Sequence, residues 1–131
     1  MILLDTNICI YIINVRPPKV LAHFHRYQLG DIGISSVVAA ELAYGVAKSR
    51  SVRNRAALEM FLSPLDILPF DDSAVWVYGE LRADLERQGM SIGSLDTMIA
   101  AHALSLDATL VTNNVREFVR VPGLRLDNWA E

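Results

Sequence analysis

Short apolar runs separated by amphipathic stretches and turn residues set the plan of this chain. The first run, Met1-Ile2-Leu3-Leu4, reads as a buried strand and leads straight into the polar triplet Asp5-Thr6-Asn7. Residues 6–14 read as a short helix stopped by Arg16-Pro17-Pro18, and residues 19–28 as a second helix ended by Gly30. Ile32-Gly33-Ile34 is a short strand, after which Ser35-Ser36 caps a helix over 37–48 that contains Glu41 among Ala39, Ala40 and Ala43. Residues 52–62 form a further helix with Leu58, Phe61 and Leu62 as its stripe, closed by Pro64. Residues 66–68 look like an edge strand. Asp71-Asp72-Ser73 caps a long amphipathic helix to about Gln88, ending at Gly89, and Ser94 caps the next, over 95–106, with Asp96 in its first turn. A strand over 108–112, a short helix through Phe118 and a last strand near 124–126 complete the chain. Strands alternating with helices predict an α/β fold, a three-layer α/β/α arrangement around a mainly parallel sheet.

The 131 residues fit one domain, 1–131, with a core that needs no disulfide or structural metal. Cys9 is the only cysteine and lies in an apolar run, which removes a disulfide framework and a thiolate metal site from consideration. Asp5 interrupts the N-terminus too early for a secretory leader, and no apolar run reaches the roughly 18 residues of a membrane span. A cytoplasmic protein is expected. The net charge of -3 argues against bulk attraction to nucleic acid, yet the basic residues are ten Arg to two Lys, and the planar Arg fork suits phosphate. Arg50, Arg53 and Arg55 form the tightest basic cluster, with a solvated helix start as its ordinary explanation. The apolar content of 52% hints at surface covered by a partner or a second copy.

Asp5, Glu41 and Asp96 carry the chemistry. Each stands where an apolar or small-residue stretch meets a helix, and Asp5 directly follows the first strand, at the carboxyl edge where open α/β sheets bind ligands. Taken singly, Asp5 is explained as an N-cap, Asp96 as a first-turn residue favoured by the helix dipole, and Glu41 as a solvated helix residue. Taken together, they make an oxygen-rich set suited to Mg²⁺ or Mn²⁺, which keep several waters and need two or three carboxylates plus a substrate phosphate. Such sites hydrolyse phosphodiesters. Thr6 and Thr112 could orient water or a carboxylate, or simply suit strand ends. His102 reads as a packed side chain, and His23 and His25 lack a metal-ligand partner at useful spacing.

The stretches Leu4-Asp5-Thr6-Asn7, Ser35-Ser36 followed by Glu41 and Gly45, Ile92-Gly93 followed by Asp96 and Ile99-Ala100-Ala101, and Thr112-Asn113-Asn114 followed by Phe118 resemble the ordered motifs of PIN-domain ribonucleases. More narrowly, they resemble the VapC-type toxins of bacterial toxin–antitoxin pairs. The resemblance implies a metal-dependent endoribonuclease, usually a homodimer, held inactive by a VapB-type antitoxin that lays an apolar segment in a groove and a basic side chain near the acids. It makes Asp5, Glu41 and Asp96 the metal-binding acids, puts Thr112 and Asn114 with them as catalytic-site residues, and points to structured RNA such as the tRNA anticodon region.

Many members have a fourth acid where this chain has Asn114, which puts a second metal site in doubt. Glu117 could substitute, but its spacing from Asn114 is that of a capping box, and that is the expected reading. Arg82 and Arg87, on the helix before Gly89-Met90-Ser91-Ile92-Gly93, are candidate RNA contacts; pairing with Glu80, Asp84 or Glu86 is the ordinary alternative. Two other classes compete. One is a binding module of the same fold with a degraded site, which Asn114 favours. The other is an aspartyl phosphatase, which would want an acid two residues after Asp5, where Asn7 stands.

Overall fold

The computed structural model describes residues 1–28 and 30–130. In chain order its elements are β1 (Ile2–Leu4), α1 (Thr6–Val15), α2 (Pro18–Phe24), β2 (Ile32–Ser35), α3 (Ser36–Ser49), α4 (Val52–Leu62), β3 (Asp66–Leu68), α5 (Asp72–Arg87), α6 (Ser94–Ser105), β4 (Thr109–Val111), α7 (Val115–Phe118) and β5 (Arg125–Asp127). The strands form one sheet in the order β3-β2-β1-β4-β5, and every pair is parallel. Among the described residues the sheet is thus wholly parallel, where a mainly parallel one was expected.

Every residue of β2 is buried, as are Leu3 and Leu4 of β1 and Leu110 and Val111 of β4. Neighbouring residues of a strand point to opposite faces, so burial of all of them means that helices cover both faces. That is why the strands read as unbroken apolar runs instead of alternating ones. The helix residues that meet the sheet include Ile8, Ile12, Val38 and Leu42 from α1 and α3, and Leu81, Leu85 and Ile99 from α5 and α6.

Local chemistry sets the helix ends. Asp5, Ser35, Ser51 and Asp71 each accept a backbone N–H of the first turn from the N-cap position of α1, α3, α4 and α5. Arg16 closes α1 in the left-handed region at φ 52°, and Pro17 follows it. Several boundaries differ from the sequence reading, most of them by one residue. Helix α2 stops at Phe24, not at Gln28, and Tyr27 leaves the helical path to stack on Trp129, with ring centroids 5.7 Å apart. Ser94 is the first helical residue of α6 and Gly93 its N-cap, without a side-chain cap. Strand β5 is displaced by one residue, to Arg125–Asp127.

Trp129 is fully buried between His23 and Tyr27, so the C-terminal segment is held against α2 by an aromatic stack. His102 is the packed side chain expected. It is buried on α6, with its Nδ1 2.7 Å from the Ser35 hydroxyl and its ring edge-on to Phe70. The pair ties α6 to the start of α3. Cys9 is buried in the core. No helix among the described residues is long and apolar enough to cross a membrane.

Gly33 sits in β2 with strands on both sides, and a β-carbon there would lie 2.9 Å from the backbone oxygen of Asp66 in β3. Backbone in a paired strand cannot give way cheaply. Gly33→Ala should therefore lower the unfolding free energy by about 1–3 kcal/mol. Gly45→Ala, in α3 where a β-carbon meets nothing within 4 Å, should raise it by about 0.5–1 kcal/mol. Urea titration of both variants checks this pair of opposite signs; a neutral Gly33→Ala would contradict the tight β2–β3 approach.

Candidate active site

The sheet order places the site. The chain leaves β1 toward β2 on one side and returns through β4 on the other, so the crevice opens at the carboxyl ends of β1 and β4. In this register Leu4 lies opposite Val111, and the next residues, Asp5 and Thr112, emerge side by side. The Thr112 hydroxyl donates to Asp5 Oδ2 at 2.8 Å, and the Thr6 N–H donates to Oδ1 at 2.8 Å. Asp5 is both the N-cap of α1 and a buried carboxylate with each oxygen fixed. The cap and the site readings of this residue are compatible.

Helix α6 packs on α5 and leads into β4, and Asp96 in its first turn lies near enough to Asp5 for their charges to interact. Glu41 lies in α3 and is held from the opposite side by Thr6, whose hydroxyl donates to Oε1 at 2.8 Å. Its surroundings are less apolar than the sequence implied: Leu42 is buried, but Ala40 and Ala43 face solvent. What fixes Glu41 is the Thr6 hydrogen bond, not an apolar pocket.

Glu117 is the residue that the sequence reading placed elsewhere. No capping box forms, because Asn114 makes no side-chain cap to α7. Instead Asn114 Nδ2 donates to Glu117 Oε2 at 2.8 Å and the Gly93 N–H donates to Oε1 at 3.0 Å. The Glu117 carboxylate is thereby turned toward Asp96, close enough for the two carboxyls to share a hydrogen bond. Asn114 is itself anchored by its own N–H to the Thr112 hydroxyl at 2.9 Å. The physical reason is competition: the bare N-terminal approach to α6 at Gly93 offers the carboxylate an N–H that α7, only four residues long, does not outbid. The legible signal was position, since the Thr112-Asn113-Asn114 loop leaves β4 at the same edge as Asp5.

Four carboxylates thus share one edge, and the proton affinities of Asp5 and Asp96 record it. Burial raises the pKa of Asp5, against the pull of its hydrogen bonds from Thr112 and Thr6, and the charges of Glu41 and Glu117 raise it further. Asp96 is pushed up to about 7, first by burial and then by the charges of Glu117, Asp5 and Glu41. Glu117 is held below its ordinary value, chiefly by the Gly93 N–H. Among the described residues no group of three or more acidic, histidine or cysteine side chains is arranged, as it stands, to hold a metal ion.

The arginines divide. Arg82 donates to Glu86 Oε1 at 3.2 Å and to the Tyr78 hydroxyl at 2.8 Å, and Arg87 pairs with Asp84, so both make the local pairs that were the ordinary alternative. Arg82 still borders a hollow of about 200 Å³ with Ser91, Ser94 and Thr97, on the flank of α6's first turn. Arg87 lines a different hollow, with Trp76 and Gly79. Arg55 pairs with Glu59 at 2.9 Å on the exposed face of α4. Arg120 donates to the Ser91 carbonyl at 3.0 Å and its charge helps to keep Glu117 ionised. Glu41 also lines a largely apolar groove of about 540 Å³ between α1, α3 and α4, together with Ile10, Ile13, Val46 and Leu58 and the polar Arg53 and Asn54.

The crowding of the acids sets a pH dependence in the metal-free protein. The folded state holds a proton on Asp96 up to about 7, whereas the ordinary aspartate value is 3.8, so between these values the folded state binds more protons than the unfolded. The stabilisation is complete below the lower value and is lost as pH rises through the upper one. Asp5 acts in the same sense; Glu117, held low, acts in the opposite sense at the acid end. Unfolding in chelator should show stability falling from about pH 4 to about pH 7, and Asp96→Asn should flatten that slope. An unchanged slope in the variant would place the repulsion elsewhere.

Comparison with known proteins agrees with this geometry. Residues 2–124 match the PIN domain family. The chain is 47% identical over 132 residues to Ribonuclease VapC2 of Rickettsia felis, spanning 97% of this chain and 96% of that protein. It is 47% identical over 129 residues to the tRNA(fMet)-specific endonuclease VapC of Shigella flexneri, spanning 98% of this chain and 97% of the relative. Its fold superposes on the crystal structure of DNA-bound VapBC from Salmonella typhimurium with a TM-score of 0.92, at 41% identity, covering 98% of this chain and 97% of that one. The structure of VapBC2 from Rickettsia felis bound to a promoter DNA fragment gives a TM-score of 0.89 at 47% identity, covering 98% and 99%. On its motifs, its sheet order and these likenesses, the chain belongs to the PIN-domain family, among the VapC ribonucleases.

Proposed function

We propose that this protein is the toxin of a toxin–antitoxin pair, a Mg²⁺- or Mn²⁺-dependent endoribonuclease that hydrolyses phosphodiester bonds in structured RNA, tRNA foremost, in the bacterial cytoplasm. The observation that carries the reading is the cluster of Asp5, Glu41, Asp96 and Glu117, in which burial first, and then the charges of its neighbours, raise the proton affinity of Asp96 to about 7. A cation removes that repulsion. The donors are all oxygen, with no thiolate or free imidazole among them, which fits a hard ion that keeps waters and awaits a substrate phosphate. Bound there, such an ion supplies Lewis acidity toward the phosphoryl group.

The chain's own residues then divide the work. Asp5, Glu41 and Asp96 hold the ion, with Thr112 and Thr6 fixing the orientation of two of them. Asn114 is a positioning residue, holding Glu117 against Asp96. The fourth carboxylate missing from position 114 is supplied three residues later, which favours an active nuclease over a degraded binding module.

The antitoxin enters by the same reasoning. The groove that Glu41 lines is largely apolar and carries this acid, so it suits a partner segment with apolar side chains and a basic one that pairs with Glu41. The VapBC structures to which this chain is similar are complexes of such pairs. A homodimer completes the proposed assembly, in keeping with the exposed apolar surface at Trp76.

Asp5→Asn, Glu41→Gln and Asp96→Asn should each reduce cleavage of purified tRNA at least about 100-fold with the fold retained, and Thr112→Val should cost about 10- to 100-fold through Asp5. Wild-type activity should vanish in EDTA and return with Mg²⁺ or Mn²⁺. Cleavage that persists in EDTA, or two of the three acid variants retaining near wild-type rates, would remove the metal-dependent reading.

A further inference from the structure

Helix α6 carries a histidine where its neighbours are alanine. Ala100, Ala101 and Ala103 are buried together with His102, which is 1% exposed. An imidazole placed there loses water at both ring nitrogens and needs a partner at each. Ser35 supplies the first. Its hydroxyl oxygen accepts the Val37 N–H at 3.1 Å as the N-cap of α3, so its hydrogen is left to donate, and Nδ1 of His102, 2.7 Å away, accepts it. The remaining ring N–H is offered the backbone carbonyl of Pro69. These roles need the neutral ring, and burial lowers the pKa of His102, against the charge of Asp71.

An apolar side chain would fill the same space without that desolvation. What the histidine adds is direction, because a satisfied buried hydrogen bond fixes how two elements sit on one another. Among the described residues this is the only side-chain hydrogen bond between α6 and α3 with its cap. Phe70 braces it, giving its N–H to the Ser36 hydroxyl at 3.0 Å and setting its ring edge-on to His102. The α3 cap, the loop after β3 and α6 are thereby joined at one buried point.

That point stands in a matched relation to two acids. Six residues forward from Ser35 is Glu41 on α3, and six residues back from His102 is Asp96 on α6. Each acid is about 9 Å along a helix axis from the tie. The charge of Glu41 acts on Asp96, and the repulsion pushes α3 and α6 apart. At the site itself Glu41 is bonded to Thr6 and Asp96 to Glu117, neither to the helix of the other. The push is therefore resisted by packing and by the bond deeper in the protein.

We infer that His102 is a positioning residue of the nuclease site: through Ser35 it locks α6 against α3 and so keeps Asp96 within reach of a divalent ion shared with Glu41. The inference rests on the metal-dependent reading above and adds a residue outside the acid cluster, acting through two helices.

Mn²⁺ titration calorimetry of the full chain without RNA tests it, alongside cleavage of purified tRNA at rising Mn²⁺. His102→Leu retains an apolar side chain and removes the tie. It should weaken Mn²⁺ binding at least about tenfold and raise the Mn²⁺ needed for half-maximal cleavage likewise, with KM for RNA within about twofold of wild type. His102→Asn, which puts an amide oxygen near the place of Nδ1, should recover Mn²⁺ affinity to within about threefold of wild type. His102→Gln, whose longer chain carries the amide past Ser35 toward Pro69, should not. Val20→Ala, a buried truncation in α2, which carries neither acid, should lower the thermal midpoint and leave Mn²⁺ affinity within about twofold. Circular dichroism establishes that each variant is folded, and if His102→Leu is not, the Asn and Gln variants decide. A folded His102→Leu with wild-type Mn²⁺ affinity, or Asn and Gln variants that bind Mn²⁺ alike, overturns the proposal and leaves the nuclease reading standing. If Val20→Ala loses as much Mn²⁺ affinity as His102→Leu, the effect is general loosening and the proposal is overturned. A wild-type chain that binds no Mn²⁺ overturns the metal-dependent reading and this inference with it.

Discussion

Mutual repulsion among carboxylates at one edge of a parallel sheet is the constraint on which the rest of this structure depends. Asp5, Glu41, Asp96 and Glu117 come from four different elements, and each would be better solvated alone. The chain holds them together with short, directional contacts: Thr112 and Thr6 on Asp5, Thr6 on Glu41, Gly93 and Asn114 on Glu117. Thr6 and Thr112 each serve two groups. Thr6 gives its N–H to one acid and its hydroxyl to another, and the Thr112 hydroxyl donates to Asp5 while accepting from Asn114. The acids are thus linked through their supports as well as through their charges.

The scaffold accounts for the convergence without special geometry. Parallel strands send all their carboxyl ends to one edge, and the chain leaving each strand starts there. Asp5 directly after β1, Thr112 directly after β4 and Asp96 in the first turn of α6 consequently arrive together, although more than 100 residues separate Asp5 from Thr112 in the chain. Among the described residues no buried side-chain nitrogen or oxygen lacks a hydrogen-bond partner. The site therefore stores electrostatic repulsion, relieved by a proton or a cation, and not unmet hydrogen bonding.

Much of this was legible in the sequence because it is encoded locally. The unbroken apolar runs of β1 and β4, the Ser35 and Asp71 caps and the acid just after the first strand are patterns within a few residues. What was not legible depends on contacts distant in sequence. The Asn114 and Glu117 spacing fits a capping box, and only the approach of Gly93, 24 residues earlier, takes the carboxylate away from α7. Helix α2 has helical composition through Gln28, yet Tyr27 is claimed by Trp129 from the far end of the chain. Glu41 was singled out for its alanine neighbours, two of which face water; the feature that holds it is a threonine 35 residues away. The sequence and the structure thus single out Glu41 for different reasons.

The central claim is that the acid cluster is a cation site whose charge repulsion is relieved on binding. Mn²⁺ titration calorimetry near pH 6, repeated in buffers of different ionisation enthalpy, measures it directly by counting the protons released per ion. With the Asp96–Glu117 pair holding a proton up to about 7, binding should release about one proton per Mn²⁺, and Asp96→Asn should abolish most of that release. Absence of Mn²⁺ binding, or binding with no proton release, would contradict the account.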